Sequence, residues 1–299
     1  MSETRDGSRL NPYRRVRQIR SAGRFYSAPH MALDTLTDAR PKTADDDVSA
    51  LSRGLSLLET ITASPHPLTV KELAQQTGIP RPTVARIAST LVNAGYVRQL
   101  EGKDRFFPTT RSLELANTFL AHFDMCKAVR PFLRELAEEC GAAVHLCLRN
   151  RLDMVVIESV RPSVGPIIVR LGLGDRLQLA HSAIGRAHLA SLPPEERDPL
   201  VESLRLSGAN EGMDLRAMVK KAARELGDKG FVSAFGDWHS DINAVAVPLQ
   251  SPAGEHFAIN CGGPAFLFSR ETVLEHLGPR LVDTAAKIQE LIGRVVLGA

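Results

Sequence analysis

Between residues 68 and 108 the apolar positions change period. In LTVKELAQQTG and PTVARIASTLVN they recur at three- and four-residue steps, with Val84, Ile87, Ala88 and Leu91 marking the second run. After Gly95 they give way to two extended segments, YVRQL and RFFPT, around the polar turn Glu101-Gly102-Lys103-Asp104. Thr69 and Glu72 stand at capping-box spacing ahead of the first helix, which ends at Gly78. Gly78-Ile79-Pro80 makes a tight turn, and Pro82 opens the second helix. Upstream, Leu51, Leu55, Leu58 and Ile61 form a helical stripe closed by Pro65-His66-Pro67. Two short helices, a hairpin and a preceding helix in this order predict a winged helix-turn-helix.

Beyond the hairpin, Leu113, Ala116, Leu120 and Phe123 repeat on an otherwise polar run, the pattern of a linker helix able to self-associate about a two-fold axis. Pro131 is expected to open a helix that stops at Gly141. The pattern then turns β-rich. AAVHLCLR, DMVVIESV and PIIVRL read as strands, and a helix carrying Ile184, Ala187, His188 and Ala190 follows Gly172-Leu173-Gly174. Another helix spans about 214–226, ended by Gly227 and Gly230. INAVAVPLQ and HFAINCGGP flank Ser251-Pro252-Ala253-Gly254 as an antiparallel pair, and a closing helix runs over about 270–297. The fold class expected is α+β on an antiparallel sheet. The division is a disordered tail over residues 1–46, the winged domain over 47–109, the linker over 110–126 and an α+β domain over 127–299.

On the second helix of the winged domain, Pro82, Arg86, Ser89 and Asn93 lie opposite the apolar stripe, with Arg81 and Thr83 at its N-terminal end. Arg81, Thr83 and Arg86 are therefore the candidate base readers on double-stranded DNA, with Pro82 and Ser89 beside them. Arg98, Lys103 and Arg105, on or near the hairpin tip, suit phosphates. Residues 66–108 hold six cations against three carboxylates, a modest patch in the right place. A solvated surface would carry such charges too, but helix pair, turn and basic wing occur together.

The net charge of +3 adds nothing to this, because seven arginines in residues 1–24 supply it and the remainder is slightly acidic. Met31 follows that stretch and could itself be a start, so residues 1–30 are expected to be dispensable for folding and specific recognition. Cys126, Cys140, Cys147 and Cys261 stand far apart with no CxxC, against a disulfide framework or structural zinc and in keeping with a reducing cytoplasm. No run of eighteen apolar residues exists and the Arg-rich start lacks a signal-peptide core, so a soluble protein without a membrane partner is expected. Neither cofactor nor metal is expected.

The segments ALSRGLSLLETI, LTVKELAQQTGIPRPTVARIASTLVNAGYV, DRLQLAHSAIGRAHLA, KGF, INAVAVPLQSPAGE and NCGGPAF, in this order, resemble the IclR (isocitrate lyase regulator) family of bacterial transcriptional regulators over roughly residues 48–297. The resemblance implies a GAF-like effector-binding domain, a homodimer or homotetramer, a palindromic operator and control by a small organic metabolite. It further implies a pocket built from His181, Ser182, Ala183 and Ile184 and from facing strands at Asn243, Ala244, Asn260, Cys261 and Gly262. Many members carry Pro in place of Gln178, Lys in place of Arg186 and a serine-rich strand in place of Asn260-Cys261-Gly262. The NCGGP variant is similar to proteobacterial members tied to aromatic or organic-acid catabolism.

A helix N-terminus after small residues offers free N–H groups suited to a carboxylate, and Ser182 either adds a hydroxyl to the pocket or caps the helix. Asp237, Trp238, His239 and Asp241 read as a polar loop rather than a metal or catalytic group. His145 and Cys147 read as one packed strand face. Cys261 beside two glycines raises two rivals: a redox-responsive thiol, and a cysteine hydrolase with His239 as base. An architectural DNA binder without an effector would leave the large second domain with no task.

Overall fold

The computed structural model describes residues 49–100, 104–121, 124–164, 171–251 and 254–297. The tail over residues 1–46 lies outside them, as do Lys103, Phe123 and residues 166–170 of the expected strand PIIVRL. No described helix is long and apolar enough to cross a membrane.

The winged domain consists of α1 (Ser49–Ala63), α2 (Val70–Thr77) and α3 (Arg81–Asn93) with β1 (Leu68–Thr69), β2 (Val97–Gln99) and β3 (Arg105–Pro108), an antiparallel sheet of order β1-β3-β2. The Thr69 hydroxyl accepts the Glu72 N–H at 3.2 Å, and the Glu72 carboxylate takes the Thr69 N–H at 2.7 Å. Gly78 ends α2 at φ 67°, a left-handed conformation that costs glycine no Cβ clash. Helix α3 starts at Arg81 with Pro82 inside its first turn, where the missing N–H has no intrahelical acceptor in any case. Leu57, Ile61, Leu73, Val84 and Ala88 close the core between the helices.

Helix α4 (Arg111–Ala121) follows, then α5 (Asp124–Cys140). Helix α5 does not open at Pro131 but carries it inside. An interior proline costs about 3 kcal/mol, whereas burying Val129, Leu133 and Leu136 contributes about 1.5–3 kcal/mol each, so packing prevails.

The second domain is α+β on a six-stranded antiparallel sheet of order β6-β5-β4-β9-β8-β7. Its strands are β4 (Ala143–Asn150), β5 (Asp153–Val160), β6 (Arg176–Gln178), β7 (Val232–Phe235), β8 (Ile242–Gln250) and β9 (His256–Pro264). Helices α5 and α10 (Gly278–Leu297) pack on one face through Leu133, Leu136, Leu281 and Ile288, against Val144, Leu146, Val245 and Ile259. On the other face lie α6 (Ala183–Ser191), α7 (Pro194–Leu206) and α8 (Leu215–Lys229), packed through Ile184, Leu204 and Val219 against Cys147, Val156, Ala246 and Ala258.

Strands β6 and β7 and helix α7 go beyond the sequence expectation. Helix α8 runs through Gly227 and stops at Gly230, whose φ is 78°. The closing helix is divided into α9 (Arg270–Thr272), a π-turn over Val273–Leu277 and α10. Gly278 follows that turn pressed on the Phe231 ring, where a Cβ would lie 2.4 Å from the ring carbons.

Candidate DNA interface and effector site

On α3 the period places Val84 and Ala88 fully inside, and leaves Arg81, Pro82, Arg86 and Ser89 exposed along one side. Thr83 is half-buried, and its N–H donates to the Pro80 carbonyl at 2.9 Å. Arg98 is exposed on β2, its guanidinium 5.6 Å from the Phe107 ring centroid. Arg105 differs from Arg98. Its Nη1 donates to the Pro67 carbonyl at 2.6 Å and lies 3.8 Å from the Glu72 carboxylate, which ties β3 back to the entry of α2. Arg111, absent from the expected set, donates to the Ala94 carbonyl at 2.6 Å and lies 4.9 Å from the Tyr96 ring centroid, joining the start of α4 to the end of α3.

The expected effector residues fall on two faces of the sheet. Register pairs Ala244 with Gly262 and Ala246 with Asn260, and these four share the α6 side with Ala258. Asn243 and Cys261 alternate with them and face α10 and α5. The Asn243 amide donates to the Phe268 carbonyl at 2.9 Å, and Cys261 is fully buried in that core. The sequence reading joined Asn243 and Cys261 to Asn260 as one wall. Period-two alternation separates them.

Ser182 is the N-cap of α6. Its hydroxyl donates to the Gln178 carbonyl at 2.7 Å and accepts the Gly185 N–H at 3.1 Å, so its single proton is committed. Gly185 allows the tight approach, since a Cβ there would lie 2.4 Å from Leu179 Cα. The Arg186 N–H goes to the Ser182 carbonyl, leaving the N–H groups of Ala183 and Ile184 as the first-turn donors a helix start offers to a ligand.

Arg186, absent from the expected set, is buried beside this turn, with Nε on the Ala180 carbonyl at 2.8 Å and Nη2 on Asp237 at 3.0 Å. Burial works against the Asp237 charge, yet the bonds from Arg186 and the Phe235 N–H hold its carboxyl below the usual range. His181, half-buried here with Nδ1 unpartnered, has its pKa lowered by burial and by Arg186.

Asp237 follows β7, and the pairings Phe235 to Asn243, Asn243 to Gly263 and Gly262 to Ala143 carry that end of the sheet to the start of β4. His145 stands there, buried, with Nδ1 3.2 Å from Asn260 Oδ1 and burial pushing its pKa down to about 4. His188 is also buried with both ring nitrogens unpartnered, but it sits at the opposite end, edge-on to His256.

The Cys261 thiol is pushed well above its usual range by its hydrogen bond with Cys140 and by burial. His239 packs edge-on to Trp238, which belongs to the α6-side core. Cysteine and histidine therefore sit with opposite faces of the sheet, and the hydrolase arrangement is not formed. Among the described residues no three His, Cys, Asp or Glu side chains converge to hold a metal ion.

The family models agree with this architecture. Residues 50–101 match the IclR helix-turn-helix domain, and residues 117–290 the bacterial transcriptional regulator IclR C-terminal domain. The chain is similar to the HTH-type transcriptional regulator TsaQ1/TsaQ2 of Comamonas testosteroni, 26% identical over 245 residues covering 81% of this chain and 87% of the relative. An IclR family transcriptional regulator from Brucella abortus superposes with a TM-score of 0.74 at 32% identity, covering 86% of this chain and 97% of that one. An IclR homologue from Microbacterium hydrocarbonoxydans, solved in complex with 4-hydroxybenzoate, shares the fold at a TM-score of 0.65 and 19% identity, over 82% of this chain and 99% of that one. A winged helix-turn-helix joined to this α+β domain, matched by both family models, places the chain in the IclR family of bacterial transcriptional regulators.

Proposed function

We propose that the protein sets two winged heads on a palindromic operator through self-association, and that a small carboxylate-bearing metabolite, aliphatic or aromatic, bound on the α6 side of the sheet, shifts their placement. The observation that carries the effector part is the start of α6. Two first-turn N–H donors and the buried Arg186 converge there beside the unpartnered His181 Nδ1. A helix N-terminus and a guanidinium both favour an anion, and among the described residues Arg186 has one acid partner, Asp237, to exchange for it. An acid the size of the one held by the Microbacterium hydrocarbonoxydans homologue suits such a site.

Calorimetric titration of the full chain with acids and their uncharged amides, such as benzoate and benzamide, tests the reading alongside gel shifts on the operator. Each productive acid is expected to bind at one site per chain and to change operator affinity. An acid that binds no tighter than its amide would overturn the carboxylate assignment.

A second reading, a redox-responsive thiol, draws support from the hydrogen bond between the Cys140 and Cys261 thiols. Operator binding that changes on peroxide treatment in the parent but not in Cys140→Ser would favour it.

A further inference from the structure

His145 is 3% exposed, and its Nδ1 faces Asn260 Oδ1 at 3.2 Å. An amide oxygen only accepts, so the proton of the neutral ring resides on Nδ1 and Nε2 is left as a bare lone pair. That Nε2 is buried with no hydrogen-bond partner. A buried acceptor left empty forgoes its bond to water and gains none in return, so a ligand that supplies the missing donor binds with an advantage over one that does not. Around the His145–Asn260 pair the strands carry small side chains on the same face, Ala244, Ala246, Ala258 and Gly262, of which Ala244 and Gly262 are partly exposed. The Arg186–Asp237 pair, with His181 near it, follows β7 at the end of the sheet whose pairings lead through Asn243 and Gly262 to Ala143 at the start of β4.

We propose that His145 sets effector specificity by accepting, at Nε2, a hydrogen bond from the hydroxyl of a small hydroxylated carboxylic acid. The acid lies over the small-residue floor with its carboxylate toward Arg186 and the start of α6. This deepens the effector reading above and rests on it. A matching acid without the hydroxyl leaves Nε2 as empty as before and is discriminated against by about 10- to 100-fold.

Matched probes test this on the full-length protein: 3- and 4-hydroxybenzoate against benzoate, and 3-hydroxybutyrate against butyrate. Long-range proton–nitrogen correlation spectra of 15N-labelled protein read the His145 tautomer directly, with His145→Leu providing the assignment. The expected result is a protonated Nδ1 and an Nε2 resonance that moves with a hydroxylated acid but not with its partner. Calorimetry is expected to show the hydroxylated member about 10- to 100-fold tighter in the parent, a ratio that falls toward one in His145→Leu.

A proton on Nε2 overturns the proposal, as does an equal affinity within each pair in the parent or an unchanged ratio in His145→Leu. Were benzoate to bind as tightly as the hydroxybenzoates and shift operator affinity, the His145 assignment would fall and the effector site would stand. No binding by any of these acids would overturn both.

Discussion

Single residues divide the candidate DNA-binding surface into two kinds of cation. Arg86 is exposed on the outer side of α3, whereas Arg98 projects from β2 beside Phe107. Arg86→Ala is expected to lower operator affinity by about 1–3 kcal/mol and relax sequence preference, while Arg98→Ala weakens operator and random DNA alike. Gel-shift titrations at fixed salt check both, and undiminished discrimination in Arg86→Ala would remove it from the readers. Arg105 stood with the phosphate contacts in the sequence because charge and proximity to the turn are legible there. Its bond to the Pro67 carbonyl, 38 residues away, is not. The same limit put Asn243 on one wall with Asn260. Each strand shows its own alternation, but which residue of β8 faces the same way as which residue of β9 depends on a register that no local pattern encodes.

Elements with local signatures were legible: the capping box and left-handed glycine of α2, and the β8–β9 hairpin around its Ser-Pro-Ala-Gly turn. Helix α7 was not, because it buries Leu204 alone among its thirteen residues and carries Pro199 inside. Strand β7 is four residues long, too short to establish a period. For α4 the sequence predicts a stripe of Leu113, Ala116, Leu120 and Phe123; Leu120 packs on the core of the second domain, whereas Leu115 and Phe119, on the other side of the helix, are 57% and 46% exposed. Leu115 and Phe119 stand one turn apart on the same side of α4, and a second α4 across a two-fold axis would cover both. Phe119→Asp combined with Leu115→Asp is expected to shift the protein toward the monomer and weaken operator binding, with the fold kept. Sedimentation velocity and circular dichroism check this, and an unchanged oligomer in the double variant would place self-association elsewhere.

At the scale of the whole molecule, buried histidines make the fold sensitive to acid. In the unfolded chain His145 and His188 take up protons near pH 6.5, whereas burial lowers the folded values to about 4 and about 3. Between those limits the unfolded state binds more protons, so stability is complete above about pH 6.5 and declines as pH falls toward the folded values. The decline attributable to His145 by pH 4 is on the order of 3 kcal/mol. Urea midpoints measured from pH 7 to pH 4 are expected to fall less steeply in His145→Gln than in the parent, and parallel curves would assign the acid sensitivity to other groups. His145 also occupies a particular position in the sheet. On β4 it lies between Val144 and Leu146, which point the other way into the core shared with Leu133 and Leu136 of α5. Alternate side chains of this one strand therefore belong to two layers. The imidazole and its two neighbours thus share one backbone between two layers, and the sheet is a partition one strand thick between the helices on its two sides.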